Sequence, residues 1–194
     1  MPALLKNVIL RRCECSSEWL CSLLITLSTS DHPVECELSD VELQPCEEAR
    51  GDEYHIHVSD LRSELVSRDL SYVGIIVRNG SLELMEILRD TSIGKLDLSS
   101  ADCASLASEI LHTLNKLTTL YLNGTYTGRC NLRLPASLQC ISLLVVEYTY
   151  EWLCSSLITL STLDHPVECE LRDVVLQPWE KAHRGDSQIH VSDL

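Results

Sequence analysis

The sequence has no phenylalanine, and aromatic residues make up only 5% of its 194 residues. A buried core must therefore be built from leucine, isoleucine and valine, which are abundant. No run of about 18 apolar residues occurs, so we expect no transmembrane helix and no membrane partner. The first residues lack a charged start, a long apolar segment and a small-residue cleavage site in that order. We therefore expect a cytoplasmic protein.

Basic residues are few. There are 15 lysines and arginines against 29 acidic residues, which gives a formal net charge of −14. Surfaces that bind phosphates need clustered lysine and arginine. The acidic balance therefore argues against nucleic acid and against an anionic membrane surface as partners.

Signatures of catalysis are also missing. The sequence contains no G-x-S-x-G, H-E-x-x-H, G-x-x-x-x-G-K-[ST] or G-x-G-x-x-G motif. The adjacent pairs Asp31-His32 and Asp164-His165 suggest an acid–base couple at first sight. Each pair precedes a proline, however, and a turn that opens a strand is the simpler interpretation. We expect a protein that is not an enzyme, with no catalytic residues and no cofactor.

The ten cysteines are numerous for a cytosolic protein. Cys21 lies in a helical pattern and Cys36 in a strand pattern, where a small apolar residue would fit. Disulfide frameworks belong to short secreted chains with small cores, so we expect reduced thiols. The C-x-C pair at 13 and 15 and the H-x-H pair at 55 and 57 lack the usual spacing of zinc ligands, so we expect no metal site.

One stretch of the chain occurs twice. EWLCSLLITLSTSDHPVECELSDVELQPC, which starts at Glu18, returns as EWLCSSLITLSTLDHPVECELRDVVLQPW from Glu151, at an offset of 133 residues. The alignment extends over residues 1–61 and 134–194. Chains that repeat themselves are usually stacked arrays with extended binding surfaces. We therefore expect residues 1–194 to form a single array with an internal duplication.

A shorter period lies inside the duplication. Segments of the form apolar-x-x-apolar-x-apolar begin at Leu70, Ile93, Leu117 and Leu138, which are 23, 24 and 21 residues apart. Such alternation is typical of a half-buried strand. Weaker alternation indicates strands at 34–38, 56–58, 167–171 and 189–191.

Helical spacing of apolar residues follows several of these strands. It predicts helices over 19–27, 81–88, 104–117 and 152–160. Ser100 and Asp102 are suitable residues to cap the third of them. Because the units are so short, each can only stack beside the previous one, with the strands in a parallel sheet and the helices on its other side.

The segments IGKLDLSSADC and LTTLYLNGTYT resemble the leucine-rich-repeat signature LxxLxLxxN/CxL. They depart from it at the Asn/Cys position, which holds Ala101 and Thr125, while Cys103 comes two residues later. The helical connections are similar to the ribonuclease-inhibitor and NOD-like-receptor type of repeat. The resemblance implies an α/β leucine-rich-repeat solenoid, or horseshoe, with a concave parallel sheet and convex helices, as a piece of a longer array.

The residues between the apolar positions of each strand point away from the core. We expect them to form a concave binding face with Tyr72 and Tyr121 as anchors, because aromatic residues dominate binding hot spots. The candidate binding residues are Glu35, Glu37, His55, His57, Tyr72, Lys95, Asp97, Thr119 and Tyr121. The predicted function is non-catalytic binding of a protein partner or a microbial ligand. The resemblance implies the sensor part of an innate-immune receptor.

Two alternatives remain open. An RGD tripeptide, similar to the one that integrins recognise, occurs in two predicted loops and suggests an extracellular adhesion protein. It is formed by Arg50, Gly51 and Asp52 and again by Arg184, Gly185 and Asp186. The third interpretation is a recently duplicated gene fragment without an independent function.

Overall fold

The chain alternates strands and helices. A computed structural model describes residues 5–44, 58–173 and 175–177. The strands are β1 Asn7–Ser16, β2 Val34–Gln44, β3 Val73–Arg78, β4 Lys95–Leu98, β5 Thr119–Tyr126, β6 Cys140–Thr149, β7 Glu168–Arg172 and β8 Val175–Gln177. The helices are α1 Ser17–Leu27, α2 Val58–Ser67, α3 Leu82–Leu88, α4 Ala101–Ala107 and α5 Tyr150–Ser161, with a 3₁₀ turn at Leu111–Thr113.

The described strands form one parallel sheet. From β1 to β7 they lie side by side in the order in which the chain reaches them, and β8 also pairs with β6. The sheet does not close on itself. Parallel neighbours in chain order require a crossover after each strand, and the helices supply most of these crossovers. The prediction of an α/β chain with a parallel sheet is confirmed.

One face of the sheet builds the core. The apolar residues of the x-apolar-x-apolar pattern are fully or almost fully buried and belong to one cluster with the apolar helix residues. On the strands these core residues are Val34, Cys36, Leu38, Val73, Ile75, Val77, Leu96, Leu98, Leu120, Leu122, Ile141 and Leu143. Alternation therefore assigned the buried face correctly on β2 to β6.

Side-chain caps start four of the helices. Ser16, Ser81, Ser100 and Thr149 each accept a hydrogen bond from the backbone N–H three residues later. Such caps satisfy amide groups that the helix itself leaves unpaired. The predicted helices at 19–27, 81–88 and 152–160 are confirmed, and Ser100 is the predicted cap of α4.

The predicted helix over 104–117 is shorter than expected. α4 ends at Ala107, and the 3₁₀ turn follows after a break. At the break, the Ser108 hydroxyl donates to the carbonyl of Ser105 at 2.7 Å. Serine side chains that bond to nearby backbone compete with helix propagation. Two short segments thus bury the apolar residues that the spacing had assigned to one helix.

The prediction of a strand at 56–58 is wrong at Val58, the one residue of the three that the structure describes. Val58 is the first residue of α2, while Ile56 lies outside the described residues. Leu61 and Leu65 continue from Val58 at helical spacing, and Leu65 is fully buried. Two alternating apolar residues were too short a pattern to separate strand from helix. The strand expected at 189–191 also lies outside the described residues.

Hydrogen bonds between side chains and backbone join segments that are distant along the chain. Each spans 20 to 25 residues along the chain. The pairs are Leu70 N–H to Ser92 Oγ, Gly80 N–H to Cys103 Sγ, Asp90 N–H to Thr113 Oγ1, Cys130 N–H to Ser155 Oγ, and Ser137 Oγ–H to the Leu117 carbonyl. This separation is close to the spacing of β3 to β6 along the chain, so the bonds connect segments around neighbouring strands.

The duplicated sequences form the same elements twice. β1 and α1 of the first copy correspond to β6 and α5 of the second at the offset of 133 residues, and β2 corresponds to β7 and β8 together. Within residues 5–44 and 58–177, no helix has the length and apolar character needed to cross a membrane.

Candidate functional site

The second face of the sheet carries the candidate site. We call it the open face; its residues alternate with the buried ones, and all except the small Gly74 and Ser142 keep some exposure to solvent. Two rows of register partners cross it. The Lys95 row contains Asn7, Glu35, Gly74, Lys95, Thr119, Cys140 and Glu168. The Tyr121 row contains Ile9, Glu37, Ile76, Asp97, Tyr121, Ser142 and Glu170.

Lys95 connects three strands of the open face. Its Nζ donates to Glu35 Oε1 at 2.6 Å, across the intervening strand β3. Gly74 allows this contact, because a Cβ there would lie 3.3 Å from Lys95 Cδ. On the other side, Lys95 Nζ lies 5.0 Å from the centre of the Tyr121 ring, in range of a cation–π contact. Burial alone would lower the pKa of Lys95, but the hydrogen bond and charge of Glu35, with Tyr121 and Asp97 nearby, raise it overall.

Glu37 is held between two arginines. Arg11 Nη2 donates to Oε1 at 3.0 Å and to Oε2 at 3.2 Å, and Arg78 Nε donates to Oε1 at 3.1 Å. The carboxylate is largely covered, whereas the two guanidinium groups remain exposed. This part of the open face therefore offers solvent two cationic groups whose positions are fixed by a shared carboxylate.

Asp97 lies at the centre of the Tyr121 row. Asn123 Nδ2 donates to its Oδ1 at 3.0 Å, and the Ser99 hydroxyl donates to the same oxygen at 3.4 Å. Burial raises the pKa of the Asp97 carboxyl, and the two hydrogen bonds offset part of that effect. The carboxylate therefore serves to position its neighbours on the face.

Most predicted binding residues that the structure describes do lie together on the open face. Glu35, Glu37, Lys95, Asp97, Thr119 and Tyr121 occupy its two rows. Tyr72 differs, because β3 begins at Val73 and not at Leu70, so Tyr72 lies in the preceding turn and is 58% exposed. His55, His57 and both RGD tripeptides lie outside the described residues.

Sequence reasoning missed the residues that frame this face. Arg11, Arg78 and Asn123 lie on strand segments that extend beyond the six-residue pattern. The signal was present on β3, where apolar residues continue to alternate as far as Val77. β1 was not singled out by its own alternation, and only its alignment with β6 indicated a strand.

A groove lies on the helix side of the molecule. With a volume of about 740 Å³, it lies between α4 and the segment after β5, and its lining includes Ser105, Glu109, Arg129 and Trp152. Behind it, the Trp152 ring is stacked on Tyr148 at 4.7 Å and packs against Tyr126 at 4.8 Å between ring centres. Burial raises the pKa of both tyrosines. The cluster is a structural element of the core.

The Asp-His pairs fasten the turn before a strand. His32 Nε2 contacts the Leu5 carbonyl at 2.7 Å, and its Nδ1 lies 3.0 Å from Asp31. His165 repeats the arrangement with the Leu138 carbonyl at 2.6 Å. The aspartate and the carbonyl are both acceptors, so they favour the doubly protonated ring and raise the pKa of each histidine. This geometry agrees with a turn and not with an acid–base couple.

The described residues offer no metal centre. Within them, no three histidine, cysteine, aspartate or glutamate side chains converge on one point. Nine cysteines are described, all as free thiols. Burial raises the pKa of the Cys36 thiol to about 12, so it is not activated as a nucleophile.

No protein-family model matches the chain, and neither a curated protein nor a solved structure shows significant similarity to it. Family and function therefore rest on the residues and on their geometry.

Proposed function

We propose that this chain is a stack of leucine-rich-repeat-type units that binds a protein partner on its open face, without catalysis. The proposal is supported by the strand order, in which each unit lies beside the next along the chain. It is further supported by the hydrogen bonds that join segments 20 to 25 residues apart. In a solenoid, each repeat contacts only its neighbours in this way.

The open face itself is the observation that carries the binding function. Its charged groups are already ordered by contacts with one another, as in the Lys95–Glu35 pair and the two arginines on Glu37. Groups fixed in advance lose less conformational entropy when a partner binds. Tyr121, half-buried beside Lys95, supplies the aromatic anchor.

The partner best suited to this face is a folded protein with both charge signs on its surface. The Lys95 row carries both charge signs, and the acidic Tyr121 row is flanked by Arg11 and Arg78. A uniformly charged polymer would therefore meet repulsion at some positions. By the resemblance of its repeats to NOD-like receptors, we propose a cytoplasmic sensor module of innate immunity, with a protein or a microbial ligand as its target.

Photo-crosslinking from both sides of the sheet tests where the partner binds. A photoreactive residue at Thr119 lies on the open face, and one at Ser105 lies on the exposed side of α4. We expect a defined adduct from position 119 and little from position 105. Adducts that form only from position 105, or equally from both, would contradict the proposal.

A thiol titration separates this function from extracellular adhesion. We expect close to ten reactive thiols per chain when the protein is unfolded without a reductant and titrated with Ellman's reagent, because we propose a reducing compartment. The same titration after reduction is the control. A count that is lower by an even number before reduction would indicate disulfides and favour the adhesion alternative.

A further inference from the structure

The two sequence copies differ in what covers them. Leu38 on β2 is fully buried, whereas its equivalent on β7, Leu171, is 50% exposed. Cys36 and Cys169 differ in the same sense. The sequences VECEL around these residues are identical in both copies. The difference therefore comes from the neighbouring strands. β3 pairs with the side of β2 that faces away from β1, and no described strand pairs with the side of β7 that faces away from β6.

At the β1 end of the sheet, it is the first copy that is more exposed. Trp19 follows β1 and is 48% exposed, whereas its equivalent Trp152 is 4% exposed. Trp152 is covered by Tyr126 at the end of β5, the strand that precedes β6. Among the described strands, none precedes β1. Both edges of the sheet thus present surfaces that the same sequence buries elsewhere in the molecule.

From Val8 onward, β1 resembles β3 in sequence. Aligned from Asn7 and Gly74, the strands read NVILRR and GIIVRN. Both place an isoleucine on the open face, followed two residues later by an arginine, Arg11 or Arg78. Each arginine is followed by a residue with positive φ, 48° at Arg12 and 53° at Asn79, although β1 continues to Ser16 and β3 ends at Arg78. This part of β1 therefore resembles the strand that covers β2.

The charges of the two edges are complementary. The β1 edge carries Lys6, Arg11 and Arg12 against one acidic residue, Glu14. The β7 side carries Asp164, Glu168, Glu170 and Asp173 against one basic residue, Arg172. If β1 pairs with β7 in the register that β3 adopts on β2, Ile9 lies opposite Glu170. Arg11 then stands to Glu170 as Arg78 stands to Glu37. Three positions differ: Arg172 stands in place of Ser39, Asn7 in place of Gly74, and Lys6 in place of the buried Val73. The Arg172 guanidinium is already bound to Glu170 at 2.7 Å.

We propose that the chain associates head to tail with a second copy of itself, by parallel pairing of β7 in one copy with β1 in the next. The contact joins two different surfaces, so each added copy leaves one edge free and the assembly can grow. It uses Ile9 and Glu170 at the two ends of the open face, and the centre of that face around Lys95 and Tyr121 stays accessible along the assembled sheet. A monomeric chain would therefore contradict this inference and leave the proposed binding function standing.

Blocking each edge separately tests the inference. Leu171→Lys places a charge against the basic β1 edge, and Ile9→Glu places one against the acidic β7 side; both positions are at least half exposed, so folding should persist. In sedimentation velocity over a range of concentrations, we expect the parent to form a series of oligomers. Each blocked variant should associate at least about 30-fold more weakly. Leu82→Lys, at an equally exposed position on α3, is the matched control and should assemble as the parent does.

Mixing the two blocked variants is decisive for the head-to-tail arrangement. Each variant keeps one intact edge, so the mixture should form a 1:1 dimer and nothing larger, which also shows that both variants fold. The inference is wrong if the parent is monomeric throughout or if the mixture of folded variants stays monomeric. It is equally wrong if the parent assembles only after residues 178–194 are removed, because the chain would then cover β7 itself.

Discussion

Leu120→Ala is expected to lower the free energy of unfolding by about 2–5 kcal/mol. Leu120 is fully buried on β5, with register partners Leu96 on one side and Ile141 on the other. Removing its side chain leaves a cavity beneath three neighbouring strands, β4, β5 and β6, and close packing on both sides limits how far the site can collapse. Urea denaturation followed by circular dichroism measures the change.

The neighbouring residue provides a matched control for Leu120→Ala. Thr119 has the opposite orientation on the same strand and is partly exposed on the open face. Thr119→Ala should change the free energy of unfolding by no more than about 0.5 kcal/mol. If the two substitutions cost the same, the assignment of β5 residues to the two faces is wrong.

Gly94→Ala is expected to destabilise the protein by about 1–3 kcal/mol although it adds only one methyl group. A Cβ at Gly94 would lie 2.0 Å from the carbonyl oxygen of Ser71, so backbone must move. The Gly94 carbonyl also accepts hydrogen bonds from the backbone N–H of Thr118 at 2.9 Å and of Thr119 at 3.2 Å. A shift of this segment therefore disturbs the turn before β3 on one side and the start of β5 on the other.

Gly74→Ala is the control for this second substitution. A Cβ at Gly74 meets the Lys95 side chain at 3.3 Å, and a flexible lysine can move aside. Thermal unfolding should show a clear fall in the midpoint for Gly94→Ala and little change for Gly74→Ala. Equal effects of the two substitutions would mean that the close approach of Gly94 to Ser71 does not occur in solution.

The strands were largely readable from the sequence because each buries one face. Leu96 and Leu98, or Leu120 and Leu122, alternate with polar residues, and a one-residue shift would expose every apolar side chain of the strand. The same alternation placed Lys95, Asp97, Thr119 and Tyr121 on one surface before any contact was known. The alternation could not predict the contacts among these side chains, because the contact of Lys95 with Glu35 depends on the register of three strands.

Boundaries and local breaks were less predictable for specific physical reasons. The apolar spacing after Ala104 is helical throughout, yet the Ser108 hydroxyl bonds to the backbone and ends α4 early. Tyr72 fits the strand pattern, but the Val73 N–H donates to the Leu70 carbonyl at 2.8 Å and closes a turn that contains Tyr72. Both outcomes depend on single hydrogen bonds that periodicity does not encode.

The duplication limits prediction in another way. Leu38 and Leu171 both end an identical VECEL segment and differ strongly in exposure, because burial on this sheet depends on the adjacent strand. The near-identical sequences of the two copies therefore predict their local fold but not how far each copy is buried.

The affinity of the Tyr121→Ala variant tests most directly whether the open face binds a protein partner. The partner is the protein crosslinked from position 119, and isothermal titration calorimetry compares it with the parent, with Tyr121→Ala and with the helix-side control Leu82→Ala. Loss of an aromatic anchor should weaken binding about 30-fold or more, while the fold and the control keep the values of the parent. Equal affinity of Tyr121→Ala and the parent would show that the open face is not the binding surface.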